Sequence, residues 1–524
     1  MRKLLCSSFV YLISIFSILA QTPFITTWKT DNNGASCSTC IEIPTVGGGY
    51  NYEVDWDNDG TYDEMGITGN ITHDFGSAGT YTIAIRGVFP RIVFDNGAEG
   101  LKILSVDQWG DIQWTSFSSA FAGCTNLQIL ATDIPDLSNV TSLSNCFTQA
   151  AITGGCANWD VSGVSNFTGM FSRCAAYDED LSSWDMSSAT NTSFMFSGAT
   201  DFNQNISNWD VSNVTNMNAM FNSALDFNQD IGNWNVSNVT SMAGMFDGAR
   251  VFNGDIGNWD VSSVTDMSNM FGSVSQVVFP NPNAFNQDIG DWDVSNVTNM
   301  AEMFLGCENF NQDIGKWDVS NVTNMAAMLR EAETFNQNLS NWQVGQVSNM
   351  QSMFSGADAF DQDLGAWNLS SLQDAGRMLR NAGLGCENYG SILIGWAGNS
   401  NTPDNISLGA RGLEYGSEAV TARDLLISKG WNIDGDEETV CMVNVDNQDP
   451  LDWAVYPNPV QDILYIEAPS SYQYEIVNIL GKVIHNEFNR QGYMDTNDWP
   501  SGTYLIRLID TKGERKGTQK VIKR

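Results

Sequence analysis

Histidine is almost missing from this chain: His73 and His485 are the only two among 524 residues. With one imidazole in each of two distant segments, histidine-rich metal clusters are excluded and Ser/His/Asp or Cys/His catalysis is disfavoured. Basic residues are scarce too, 24 against 61 acidic, for a formal charge of −37. So negative a field repels phosphate backbones and argues against nucleic acid as a partner. After the first twenty residues no apolar run is long enough to cross a bilayer. What the composition does hold is 42% hydrophobic residues, enough for roughly three or four units with cores of their own.

Residues 1–20 read as a secretory signal, with Arg2 and Lys3 ahead of an apolar stretch from Leu4 to Leu19. Export places the nine cysteines beyond Cys6 in an oxidising compartment, where Cys37 can pair with Cys40 and Cys386 with Cys441. Neither a second CxxC nor a βαβ pattern supports a zinc or redox use of Cys37-Ser-Thr-Cys40.

Between residues 101 and 383 one motif returns. Tryptophans fall at Trp159, Trp184, Trp209, Trp234, Trp259, Trp292, Trp317, Trp342 and Trp367, in steps of 25 with a single step of 33. A fixed period of this length is the mark of stacked repeats. Within a copy, Trp234 and Val236 alternate with polar residues as in a short strand, while Val239, Met242, Met245, Phe246 and Ala249 recur at three or four as in a short helix. The fold class expected is a repeat solenoid of LRR-like α/β coils, one short strand plus one short helix per 25 residues, flanked by two β-sandwich modules. The motifs Phe227-Asn-Gln-Asp-Ile, Trp-Asp-Val-Ser-Asn-Val-Thr-Asn-Met and Met-Phe resemble those of BspA-like leucine-rich-repeat surface proteins. That resemblance implies adhesion to host or matrix molecules through an extracellular protein or glycan ligand.

Stacking turns repeated residues into columns. The Trp, Met and Phe columns are core, and Asn228, Asn253, Asn286, Asn311 and Asn336 read as turn residues or an asparagine ladder. The Asn-Val-Thr sequons read as helix caps more readily than as glycan acceptors. Carboxylates at Asp210, Asp260, Asp293 and Asp318 form one column and those at Asp230, Asp255, Asp288 and Asp313 another. Their mutual repulsion calls for a solvated face, salt or bound cations. The first of these columns is taken as a binding face, together with Val277, Val278 and Phe279 in the eight-residue insertion between Phe271 and Phe285. Near-identical coils lack the unequal neighbours that catalytic carboxylates require, so no catalytic residue is assigned.

Residues 21–100 change to period two with glycine turns, and Val54-Asp-Trp, His73-Asp-Phe and Gly79-Thr-Tyr-Thr-Ile resemble a PKD-type extracellular module. Inside it Asp55, Asp57 and Asp59 precede Gly60 at calcium-loop spacing, with Asp63 or Glu64 standing in for the absent twelfth-position glutamate. Calcium is therefore the one cofactor considered, against an acidic β-turn. Residues 384–433 read as a C-terminal cap and 434–452 as an acidic linker. Residues 453–524 carry Tyr456-Pro-Asn-Pro, Ile479-Leu-Gly-Lys, Ser501-Gly-Thr-Tyr-Leu and Lys520-Val-Ile-Lys, and resemble the sorting domain of the type IX secretion system of Bacteroidetes. This implies the type IX export machinery as a partner and a secreted or outer-surface location. The function expected is a non-catalytic surface binding protein. A polysaccharide-acting enzyme on a solenoid and a calcium-stabilised structural surface protein are the alternatives.

Overall fold

The structure, a computed structural model, describes residues 21–273, 282–441, 454–456, 458–467, 473–478, 482–487, 493–509 and 515–524. The expected secretory signal, the insertion residues Val277, Val278 and Phe279, and much of the acidic linker lie outside these. The chain divides into two units, one running to Leu413 and including Ala422–Asp436, the other made of Glu414–Thr421 and Glu437–Arg524.

In the first unit, period-two alternation makes the opening strands. They are β1 (Phe24–Lys29), β2 (Cys40–Ile43), β3 (Asn51–Asp55), β4 (Glu64–Ile67), β5 (Ile71–Asp74), β6 (Thr80–Val88), β7 (Ile103–Gln108) and β8 (Gln128–Ile129). Six of them form a sheet in the order β4-β3-β6-β1-β7-β8, and β2 pairs with β5. Phe24, Thr26 and Trp28 alternate inward on β1, and Trp28 donates its indole N–H to Thr26 Oγ1 at 2.8 Å. Its neighbour β7 pairs antiparallel with it and parallel with β8, so the sheet passes directly into the first repeats.

The repeats correct the expected fold class. Among the described residues of 130–385 there is neither a helix nor a strand, and the α/β solenoid of one strand and one helix per coil does not form. Each copy is a series of turns joined to the next by one single-residue parallel bridge, such as Asn191 to Asn216 and Asn216 to Ser241. Among the described residues the two α-helices, α1 (Cys386–Gly398) and α2 (Val420–Ser428), come after the last copy. The flanking elements are small sheets.

Backbone conformation explains why the helical spacing misleads. Ala219 and Ser223 have φ of 51° and 56°, left-handed values that an α-helix excludes. Around them Met220, Asn222 and Ala224 donate three residues back, to Met217, Ala219 and Phe221. A chain of such turns puts Met217, Met220, Phe221 and Ala224 on one side at the same three-and-four spacing that a helix would use. The intervening N–H groups of Met217, Ala219, Phe221 and Ser223 point along the stack to the carbonyls of Ser241, Ala243, Met245 and Asp247. These donors are thereby satisfied by the neighbouring coil rather than within a helix.

Side chains complete the stack. The indole N–H of Trp209 donates to Leu181 O at 2.9 Å, and those of Trp234, Trp259 and Trp292 reach Ile206, Ile231 and Ile256 at 3.1 Å. Phenylalanine rings stack coil on coil, Phe196 on Phe221 and Phe221 on Phe246, with centroids 5.7 Å apart. Thr215, Thr240 and Thr265 each donate both N–H and hydroxyl to the threonine carbonyl one coil back, so the sequon threonines are struts and cap no helix.

At the far end α1 buries Tyr389, Ile392, Leu393 and Trp396, and Trp396 continues the indole series by donating to Leu364 O at 3.0 Å. The last turn donors, Leu379 and Asn381, bond to Gly409 and Arg411. Asp436, with its side chain fully buried, accepts both arms of Arg423 at 2.7 and 2.8 Å and the Tyr389 hydroxyl at 2.9 Å. Cys37 and Cys40 are bridged. Cys124, Cys146, Cys156, Cys174 and Cys307 are buried thiols whose pKa burial pushes up, which leaves them protonated and unreactive.

In the second unit, the short strands at Glu414–Tyr415 and Glu437–Glu438 pair in parallel. Its larger part has a three-stranded sheet of Ala454–Tyr456, Ile463–Glu467 and Tyr493–Asp495, and a four-stranded sheet of Val483–Glu487, Gln473–Asn478, Gly502–Ile509 and Arg515–Lys523. Val460, Leu464, Ile466, Ile476, Met494, Tyr504, Ile506 and Val521 make its core.

Candidate functional site

The acidic loop follows β3. Asp55, almost fully buried at the strand's end, accepts the backbone N–H groups of Asp59 at 3.2 Å and Gly60 at 2.8 Å. Gly60 sits at φ 92°, where a side chain would be strained, which is why a glycine closes this turn. Asp63 accepts the N–H of Trp56 at 2.9 Å from across the loop. The outcome is that Asp55, Asp57 and Asp63 each bring a carboxylate oxygen within 4.8 Å of the others. Desolvation first, then the charges of Asp59, Asp55 and Asp63, push the Asp57 carboxyl above its ordinary pKa. Such a trio of hard oxygen donors could hold a calcium ion, which would relieve that repulsion.

The other two residues in the calcium pattern are not in the trio. Asp59 turns its carboxylate onto the N–H of Thr61 at 2.7 Å, and Glu64 opens β4 opposite Val54 with its side chain exposed. Asp74 also lies beside the sulfurs of Cys37 and Cys40, but their disulfide leaves no thiolate for a metal.

The aspartate columns are exposed and built as turns. Asp210, Asp260, Asp293 and Asp318 accept the N–H of Ser212, Ser262, Ser295 and Ser320 at 3.0 or 3.1 Å. The serine hydroxyl and then the serine N–H hold the carboxyls of Asp210 and Asp293 below the ordinary range. Asp230, Asp255, Asp288 and Asp313 do the same for the glycine two residues on, at 2.9 to 3.1 Å. The asparagines form a ladder in which Asn228 N–H donates to Asn203 Oδ1, Asn253 to Asn228, Asn286 to Asn253 and Asn311 to Asn286, at 2.9 or 3.0 Å. The exposed turns of the stack therefore carry regular rows of amides and carboxylates held by the backbone.

The regularity breaks at one position. Successive coils place Asn222, Asp247, Gly272, Leu305 and Arg330 in equivalent places, as their shared hydrogen-bond ladder shows. Asp247 accepts Asn222 Nδ2 at 2.9 Å, and burial, aided by the Glu302 charge, raises its carboxyl to about 6. The aligned copies carry the signal for it, since no other of these five coils has a carboxylate there.

A second unforeseen group is Lys102, buried with Glu99 3.9 Å away. Its ammonium donates to Ser36 Oγ and to the carbonyls of Ser36, Cys37 and Cys40, while Glu99 accepts the N–H groups of Ala35, Ser36 and Glu42. Together they pin the loop that carries the disulfide.

Residues 115–224, 183–278 and 273–389 match a family described as Mycoplasma protein of unknown function, DUF285, and residues 454–524 match the secretion system C-terminal sorting domain. No curated protein matches the chain. Among the described residues no helix is long and apolar enough to cross a membrane. The sorting domain marks the chain for secretion to the outer cell surface and implies contact with the type IX export machinery.

Proposed function

From the premise that this chain belongs to the family described as Mycoplasma protein of unknown function, DUF285, we propose that it is a non-catalytic adhesin of the outer cell surface. It would bind an extracellular protein or glycan through the repeated face of the turn stack. The likeness of its repeats to BspA-like surface proteins, and of residues 21–100 to a PKD-type module, belongs to the same reading. One observation carries it: the ladder asparagine recurs coil after coil, and an aspartate or asparagine holds the turn ahead of each serine, in positions fixed by hydrogen bonds at 2.9 to 3.2 Å. Such a face offers many equal contacts at little ordering cost, so weak contacts sum through pre-organisation. The full secreted chain, applied to arrayed glycans and matrix proteins, should bind at least one class saturably, and substitution of several column asparagines should weaken binding progressively. Failure to bind any of them would remove the adhesive role.

Asp247 favours a second reading, a polysaccharide-acting enzyme, because a carboxyl raised to about 6 near a second acid is how general acids are tuned. Polysaccharide turnover that disappears in Asp247→Asn would establish it. Calcium would act in the N-terminal loop through Asp55, Asp57 and Asp63, stiffening the module rather than contacting ligand. Adding calcium should raise the melting temperature of the N-terminal transition, and Asp57→Asn should abolish that rise without lowering the calcium-free value.

A further inference from the structure

The sorting domain keeps its core on one side of the three-stranded sheet and shows aromatic rings on the other. Leu464, Ile466 and Met494 point into the core, whereas Tyr456, Tyr465 and Tyr493 are 45%, 42% and 45% exposed. Strand register aligns them, since Tyr456 pairs with Tyr465 and Tyr465 with Tyr493. Their ring centroids are 5.6 Å and 6.3 Å apart, and Ile463, 41% exposed, extends the row two residues along the same strand face. Ile463 also lines a groove with Pro459, Gln461, Asp462 and Arg524.

Such a row is not required by the fold, because none of the three tyrosines belongs to the buried core. Residues 453–524 carry nine basic and eight acidic groups, so the domain lacks the strong negative field of the chain as a whole and long-range charge steering is weak. Recognition must then rest on contact, and clustered tyrosines are the residue type on which protein interfaces concentrate binding energy. The Tyr456 and Tyr465 rings lie nearly parallel, at 19°, so the row presents an ordered aromatic surface. Because residues 454–524 match a secretion system sorting domain, the occupant that fits such a surface is a protein of that system, held by aromatic contact.

We propose that the Tyr456–Tyr465–Tyr493 row, with Ile463, is the surface by which this domain docks onto a protein component of the export machinery. This rests on the reading of 454–524 as an export tag, and the test separates the two. In a bacterium with a working type IX system, three full-length chains are expressed: wild type, Tyr456→Ser/Tyr465→Ser/Tyr493→Ser, and a truncation after residue 453. Tyr465→Ser, at the centre of the row, serves as the milder variant. Both tyrosine variants, purified, should melt within a few degrees of wild type. The expected result is a roughly tenfold or greater fall in exported protein for the triple variant, a smaller fall for Tyr465→Ser, and retention of the truncation. Normal export of the tyrosine variants with the truncation retained overturns the docking surface alone. Normal export of the truncation overturns the tag and the docking surface together. Normal passage out of the cell followed by loss from the surface would overturn the protein partner in favour of a glycan. A wild-type dimer in solution that the triple variant dissolves would overturn it in favour of a second copy.

Discussion

The N-terminal sheet and the turn stack satisfy their buried polar groups in opposite ways. In the sheet module a single buried lysine gathers Ser36, Cys37 and Cys40 from 62 to 66 residues away. In the stack the indole N–H groups of Trp209, Trp234, Trp259 and Trp292 each reach one carbonyl 28 residues back, or 36 where the insertion intervenes, so the same bond is made again from coil to coil. One region concentrates its order in a few irreplaceable contacts and the other spreads it over many interchangeable ones. Damage should therefore be catastrophic but confined in the first, and mild but measurable at any coil in the second.

The largest expected effect is at Lys102. Replacing it by Met removes four donated hydrogen bonds and leaves Glu99 buried beside no cation, a loss of about 3–5 kcal/mol. Chemical denaturation followed by an N-terminal probe should show this loss, and limited proteolysis should cut within the loop 34–42. The stack's own transition should move little. A variant in which both transitions fall together would show that the two regions are not energetically separate.

The next effect probes the repeating bond. Trp259 donates its indole N–H to Ile231 O at 3.1 Å, whereas Trp159 Nε1 is buried with no hydrogen-bond partner among the described residues. Tryptophan to phenylalanine removes similar ring volume at both sites, but only at Trp259 does it break a hydrogen bond, leaving Ile231 O with the Trp234 N–H as its remaining donor. Trp259→Phe should cost about 0.5–1.5 kcal/mol more than Trp159→Phe in equilibrium unfolding. Equal costs would mean that ring packing alone holds the coils.

These contrasts also explain what could be read from residues in a row. The tryptophan column was legible because a large core side chain recurs with every coil at a step of 25. The helix was not there, because Met217, Met220, Phe221 and Ala224 keep three-and-four spacing in turns as well as in helices. What distinguishes them is the left-handed φ of Ala219 and Ser223, and neither residue type announces it. In the candidate calcium loop, spacing named five acids and folding gathers three. Asp59 has the same local sequence credentials as Asp57 but is drawn to Thr61. Lys102 was invisible because its partners are distant in sequence, whereas Asp247 was available to anyone aligning the coils by position.

Asp247 offers a sharper use of the comparison, since it is the stack's local exception. Its folded carboxyl titrates at about 6 against 3.8 when unperturbed, so the folded state holds the proton more tightly than the unfolded state does. Stability contributed by the protonated form is complete at low pH and is lost as pH rises from about 4 to 6. Allowing for its partial exposure, Asp247→Asn should stabilise the stack by about 1 kcal/mol at pH 7 and flatten its melting curve across that window. No change in that pH dependence would mean that Glu302 and burial do not act on this carboxyl.

The smallest effect belongs to the column aspartates, and its sign is the reverse. Ser212 donates its hydroxyl and N–H to Asp210 and depresses that carboxyl below its ordinary value, as Ser295 does for Asp293 and Ser187 for Asp185. Stability from a depressed carboxyl is present above the ordinary pKa and disappears as pH falls through the folded one, here below about 4. A single Asp210→Ala, at an exposed turn, should cost only about 0.5 kcal/mol. Asp180, held by Ser182, shows the same depression, so acid should weaken the stack through the sum of these four turns. Melting temperature followed from pH 7 to pH 2 should therefore pass through a maximum between the Asp247 window and the column window. In Asp247→Asn that maximum should broaden into a plateau reaching neutrality, with the acid limb unchanged. If replacing Asp180, Asp185, Asp210 and Asp293 together leaves the acid limb where it was, these aspartates hold no turns in solution. Their carboxylates would then be as free for a ligand as the sequence first made them look.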